Sequence, residues 1–125
     1  MVLTPELKLE HKDARGEIYS IDLPNGHELM LLRSVAGSLR GGHSHTCGEI
    51  VTVLSGKMRY HKIVHGKPMT QTLKRGDLSF NPAGQIHMGE FLEESWVTEY
   101  KFAKKGDWSQ EVYEPFRSQV TASVC

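Results

Sequence analysis

GSLRGGHSHTCGEIVTVLSG, residues 37–56, is the stretch on which the reading of this chain turns. His43 and His45 stand one residue apart, and Glu49 follows four residues later. Side chains two apart on an extended strand point to the same face. The even spacing of His43, His45 and Glu49 therefore predicts one shared face, provided the strand runs unbroken. Imidazole nitrogens and a carboxylate oxygen form a ligand set suited to a divalent transition metal. An isolated HxH in a glycine-rich loop is more often a solvated surface feature, so the rest of the chain decides.

Moving outward, the chain shows many short β elements. Glu49–Leu54, EIVTVL, is its most β-branched run. Lys57–Val64 alternates Met58, Tyr60 and Lys62 against Arg59, His61 and Ile63. Upstream, Glu17–Leu23 alternates with one clearly more apolar face, and Pro24-Asn25-Gly26 is a hairpin turn. Leu29–Val35 reads as a core strand, and Gly37–Gly42 as a loop with three glycines. Residues 1–15 are polar, holding a short strand at Leu7 and Leu9 or covering an edge. Downstream come Met69–Leu73, Leu78–Phe80, Ile86–Phe91 and Trp96–Ala103, the last with Trp96, Thr98, Tyr100 and Phe102 on one face. In the tail, Trp108, Val112, Tyr113 and Phe116 are placed to pack a short helix or strand onto the body. About eight to ten short strands at turn spacings of roughly 8–12 residues, with almost no helical periodicity, predict an all-β antiparallel barrel or sandwich. There is no internal repeat or linker. The expectation is a single domain over 1–125, its core barrel at about 17–103, with both terminal segments packed on it.

Composition narrows the class of function. Lys plus Arg and Asp plus Glu are 15 each, so the formal charge is zero. That balance gives no support for non-specific binding to nucleic acid or an anionic membrane. No apolar run approaches the roughly 20 residues of a membrane span. MVLTPELKLEHKD lacks an apolar signal core, which predicts an intracellular, cytoplasmic protein. In a reducing compartment Cys47 and Cys125 are not expected to pair.

His87 follows the Pro82-Ala83-Gly84 turn and opens a strand. In a closed antiparallel barrel such a strand can lie beside the one bearing Glu49 and add a fourth ligand. At this point a resemblance becomes specific. The stretch resembles the first motif of the cupin superfamily: glycine, five residues, HxH, three or four residues, Glu, six residues, glycine. Gly37, His43, His45, Glu49 and Gly56 fill its fixed places. The second cupin motif is glycine, five residues, PxG, two residues, His, three residues, Asn. Gly76, Pro82, Gly84 and His87 match it, while Phe91 stands at the Asn position. The resemblance covers residues 37–91, a little under half of the chain. It implies a small single-domain cupin: a double-stranded β-helix, or jelly-roll-like barrel, with a metal at its wider mouth. Carried over position by position, His43, His45, Glu49 and His87 look like the ligands of one divalent Fe, Mn, Ni or Zn ion. Phe91 places a ring near the site and removes an amide from the interior.

Other residues carry two readings each. Cys47 shares parity with His45 and Glu49, so it is a pocket-lining thiol or a small buried hydrophobe. Met58, Tyr60 and Lys62 are expected to point inward, with Tyr60 a hydrogen-bond donor or acid as well as a core residue. Tyr60 and His87 are the catalytic candidates. Arg40 is a loop arginine or an anchor for a carboxylate or phosphate. His11, His27, His61 and His65 are expected at the periphery, and Trp96 and Tyr100 in the core or a dimer interface. The function this predicts is a metal-dependent enzyme of dioxygenase, isomerase or lyase type acting on a small polar molecule. Two alternatives stand beside it. RGGHSH and Asp13-Ala14-Arg15-Gly16 also look like the sugar-nucleotide ketoisomerases, where histidine acid/base chemistry works without metal. The other is a non-catalytic small-molecule-binding cupin. Single-domain cupins commonly dimerise, so the resemblance also implies a homodimer.

Overall fold

The computed structural model describes residues 6–124; Cys125 lies outside them. Two antiparallel sheets face each other. The strands in chain order are β1 (Lys8–Asp13), β2 (Gly16–Asp22), β3 (Glu28–Ser34), β4 (Leu39–His45), β5 (Glu49–Ser55), β6 (Lys57–Val64), β7 (Lys67–Lys74), β8 (Leu78–Asn81), β9 (Ile86–Phe91), β10 (Ser95–Lys101) and β11 (Gln110–Val112). A helix, α1 (Glu114–Val124), follows. One sheet runs β1-β2-β3-β10-β5-β8 and the other β11-β4-β9-β6-β7. Among the described residues no helix is long and apolar enough to cross a membrane.

The core lies between the sheets. Leu32, Val51, Val53, Met58, Tyr60, Leu73, Phe91 and Val97 form one buried cluster, with Ile18 and Met30 packed against it. Burying such side chains removes apolar surface from water at about 25 cal/mol per Å². The tight β5–β6 connection depends on Gly56, whose φ is +91°. A Cβ there would lie 2.5 Å from the Glu94 carbonyl oxygen.

Two expectations need correction and two others are made specific. The Gly37–Gly42 segment is not a loop: β4 begins at Leu39 and pairs with β9. Its ladder slips between Gly41 and His43, inserting Gly42 as a bulge. In β2 the apolar face does not turn inward. Ser20 is fully buried and bonded to Glu10, whereas Tyr19 lies on the outer side, stacked on Trp96. In β10 the buried inward residue is Val97, with the aromatic series outside. Glu99 and Lys101 share Val97's parity, so this inner face looks polar in sequence. Finally, the tail forms both a strand and a helix. β11 extends β4, and α1 packs its Arg117 backbone against Gly42, where a Cβ would meet Arg117 Cα at 2.9 Å.

Candidate metal centre and cavity

The site is assembled from both sheets. β4 carries His43 and His45, and β9 brings His87 into register opposite His43. Ring nitrogens of His43, His45 and His87 lie within 4.8 Å of one another. The ring centroids are 4.5, 5.0 and 5.1 Å apart. Three imidazoles this close can share one ion.

Glu49 reaches the cluster differently from the sequence expectation. The chain breaks after His45, and β5 belongs to the opposite sheet. Glu49 therefore faces the histidines across the interior instead of continuing their face. Its Oε1 is 3.1 Å from His87 Nε2, and its Oε2 is 3.6 Å from His45 Nδ1. The carboxylate is wholly buried. The Asn81 amide donates to Glu49 Oε1 at 3.0 Å and to the Tyr60 hydroxyl at 2.7 Å. Lys101 Nζ stands 3.7 Å from Oε2.

The hydrogen-bond inventory shows what is missing. His87 Nδ1 lies 2.9 Å from the Gln85 carbonyl oxygen. A carbonyl only accepts, so Nδ1 holds the ring proton and Nε2 presents a lone pair. That lone pair faces Glu49 Oε1, also an acceptor. His43 Nδ1, Glu49 Oε2 and His87 Nε2 are buried and without a hydrogen-bond partner. Buried polar atoms are otherwise satisfied in nearly every case. The His87 and Glu49 acceptors meet at 3.1 Å with no donor between them, an arrangement that fits a cation, either a proton or a metal ion.

Electrostatics points the same way. Burial, with help from His87, holds His43 down to about 4. Burial and the neighbouring His43 push His45 far below the usual imidazole range. Burial also lowers His87, against the Gln85 carbonyl, which pulls it up. All three rings are thus neutral, the form that ligates metal. Glu49 is pushed up to about 7 by burial and by Glu99, while Lys101 and Asn81 pull it down. Tyr60 is fully buried and raised well above its ordinary value, chiefly by burial and then by Glu49.

Beside the cluster is a cavity of about 170 Å³. Of the residues expected to line the pocket, Arg40, Met58, Tyr60 and Phe91 do so, as does His87. Cys47 does not. It sits half-buried on the β4–β5 turn, and burial pushes its thiol up, away from the reactive thiolate. The turn that breaks the strand also breaks the parity that would have aimed Cys47 inward.

Several residues of the site escaped sequence reasoning. Glu99 lines the cavity and contacts Glu49. Arg117 enters it from α1 and donates to the Gly41 carbonyl at 3.0 Å. Trp108 packs edge-on against His45 at 5.3 Å and lies under Lys101 Nζ at 4.6 Å. Asn81 supplies an interior amide from β8, although Phe91 stands where the motif has Asn. The inward parity of Val97 was the available signal for Glu99 and Lys101; Trp108 was marked only as packing the tail onto the body, and nothing local marked Arg117.

Known structures share this architecture. The capsular polysaccharide assembling protein CapF of Staphylococcus aureus matches with a TM-score of 0.68 and 21% identity, over 77% of this chain and 30% of its own. The 7S globulin of Momordica charantia matches at 0.69 and 14%, over 85% and 35%. Oxalate decarboxylase from Bacillus subtilis matches at 0.63 and 20%, over 86% and 30%. The fold is that of the cupins. The chain spans about a third of the length of these cupin-fold structures. No family model and no curated protein matches its sequence. What is common to this chain and these cupins is therefore the β framework.

Proposed function

We propose that this cupin binds one divalent transition metal through His43, His45, His87 and Glu49, and uses it in an enzymatic reaction on a small polar molecule. The observation that carries the reading is the cluster of three histidines whose ring nitrogens lie within 4.8 Å of one another, with the buried Glu49 carboxylate 3.1 Å from His87 Nε2 and 3.6 Å from His45 Nδ1. Iron, manganese, nickel and zinc all suit such a nitrogen–oxygen set. When bound, the ion supplies Lewis acidity or a redox centre, the chemistry of isomerases, lyases and dioxygenases.

The chain's own residues have definable parts. The Gln85 carbonyl fixes the His87 tautomer, as outer-shell partners of ligating histidines do. Asn81 orients the Glu49 carboxylate and ties it to Tyr60. Tyr60, held protonated, is a hydrogen-bond donor in the cavity and a poor base. Glu99, beside Glu49 on the cavity wall, is placed to exchange a proton with a bound molecule. Trp108 and Lys101 shield His45 from water.

The cavity weighs against a sugar-nucleotide substrate. About 170 Å³ is well below the roughly 300 Å³ at which drug-sized ligand pockets begin. Asp13 and Arg15, in the stretch that resembles the ketoisomerases, are locked in a bidentate ion pair with each other.

The chain also presents a surface suited to a homodimer. Trp96, Leu54, Leu78, Phe80 and Phe102 lie on the outer side of the six-stranded sheet, most of them exposed, with β8 a free edge. A two-fold partner would cover both the apolar face and that edge.

A panel of Fe(II), Mn(II), Ni(II) and Zn(II) added to chelator-stripped protein tests the metal reading. At least one should raise the melting temperature in wild type and not in His87→Ala. An equal rise in both would overturn the ligand set.

A further inference from the structure

Arg40 departs from the ordinary pattern of arginines. On a regular strand it would face away from His43, three residues on. The Gly42 bulge resets the alternation and turns Arg40 to the cavity. Only 7% of the residue is exposed. Its Nε donates to Ser34 Oγ at 2.8 Å and its Nη2 to the Arg33 carbonyl at 3.2 Å, fixing the guanidinium to β3. Nη1 is buried and has no partner.

Among the described residues no carboxylate hydrogen-bonds this charge. Of the carboxylates whose charge acts on Arg40, which are Asp13, Glu99 and Glu17, Asp13 is gripped by Arg15, which also lines the cavity, and Glu17 by Arg33. Arg117 adds a third guanidinium to the wall. Burial and then Arg15 drive Arg40 down to about 10. A buried cation is costly unless an anion completes it, and guanidinium is matched to planar carboxylates. Ile18, Leu32, Val51, Met58, Phe91 and Val97 make the apolar part of the wall, and His43, Tyr60 and His87 its side towards the histidine cluster. Glu99 is the one acid among the lining residues, and it contacts Glu49. An apolar cavity of about 150 Å³ accepts a benzene molecule, and this one measures about 170 Å³.

We infer that the cavity binds a small monocarboxylate whose apolar body is about the size of one six-membered ring, with its carboxylate on Arg40 Nη1 and its body against Leu32, Val51, Met58, Phe91 and Val97. The inference rests on reading the cavity as the substrate chamber of the metal site.

The test is a titration of the full chain, metal-free and zinc-loaded, with benzoate, benzamide and inorganic phosphate. Carbon-13 methyl resonances of Met58, in the cavity wall, and Met69, exposed on β7, report where binding occurs. Benzoate should shift Met58 and leave Met69, with benzamide at least tenfold weaker. Arg40→Gln should weaken benzoate at least tenfold, and Arg40→Lys less. His45→Ala should keep the metal-free benzoate response even as it loses zinc. Retained zinc in that variant would remove the metal reading and leave the carboxylate site standing. Benzoate that leaves Met58 unmoved in both forms, or binds no better than benzamide, overturns the inference. So does phosphate that competes with benzoate at equal concentration. Wild-type discrimination between benzoate and benzamide decides the matter if Arg40→Gln does not fold.

Discussion

His87 and Glu49 meet as two acceptors 3.1 Å apart, and this contact sets the behaviour of the metal-free protein. Burial raises Glu49 to about 7 in the folded chain, against an ordinary value of 4.5. A raised acid favours folding below its unfolded value, and that contribution is lost as pH rises through about 7. Metal-free Glu49→Gln should therefore be more stable than wild type at pH 8, by on the order of 1 kcal/mol, and nearly equal to it at pH 5. Thermal unfolding in chelator at the two pH values checks this. His43 runs the other way. Its value falls from 6.5 to about 4, so the unfolded chain takes up the proton first. Stability should be lost as pH falls from 6.5 towards 4, and His43→Gln should flatten that limb. Asn81 holds both Glu49 and Tyr60. Asn81→Ala should cost roughly 1–3 kcal/mol by leaving both groups short of a donor, measurable by urea unfolding.

At the scale of elements, the bulge in β4 is the decisive feature. RGGHSH reads as a glycine loop because Gly41 and Gly42, with Gly37 ahead of them, lack side chains to alternate. In the structure Gly42 is an inserted residue at φ +81°, and Arg117 Cα and N occupy the space where its Cβ would stand. Gly42→Ala should loosen α1, costing about 1–3 kcal/mol, with hydrogen-exchange protection lost first across residues 114–124. The strand positions of β5, β6, β9 and β10 were legible from alternation and turn residues. Which face turned inward was not always legible. In β2 and β10 the more apolar face is outside, because the inner face carries Ser20 in one and Glu99 and Lys101 in the other. Sequence alternation identifies two faces; which one is buried depends on the opposite sheet.

At the scale of the whole molecule, two sheets bring together residues that lie far apart in the chain. Even spacing picked out His43, His45 and Glu49, the cupin resemblance carried His87 into the set, and the three histidines do converge. Spacing misjudged how Glu49 arrives, since it comes from the facing sheet, and it misplaced Cys47 with it. Arg117 and Trp108 come from a tail with no motif, so only the three-dimensional packing reveals them. The outer apolar face should hold a dimer in solution. Phe80→Glu should shift the sedimentation of the chain towards the monomer while leaving its far-ultraviolet circular dichroism unchanged. The claim on which the functional reading depends is that the four residues hold a metal. Elemental analysis of protein purified without chelator, wild type beside His45→Ala, tests it most directly. One equivalent of a divalent transition metal per chain in wild type, lost in the variant, is the predicted result; full occupancy in His45→Ala would contradict it.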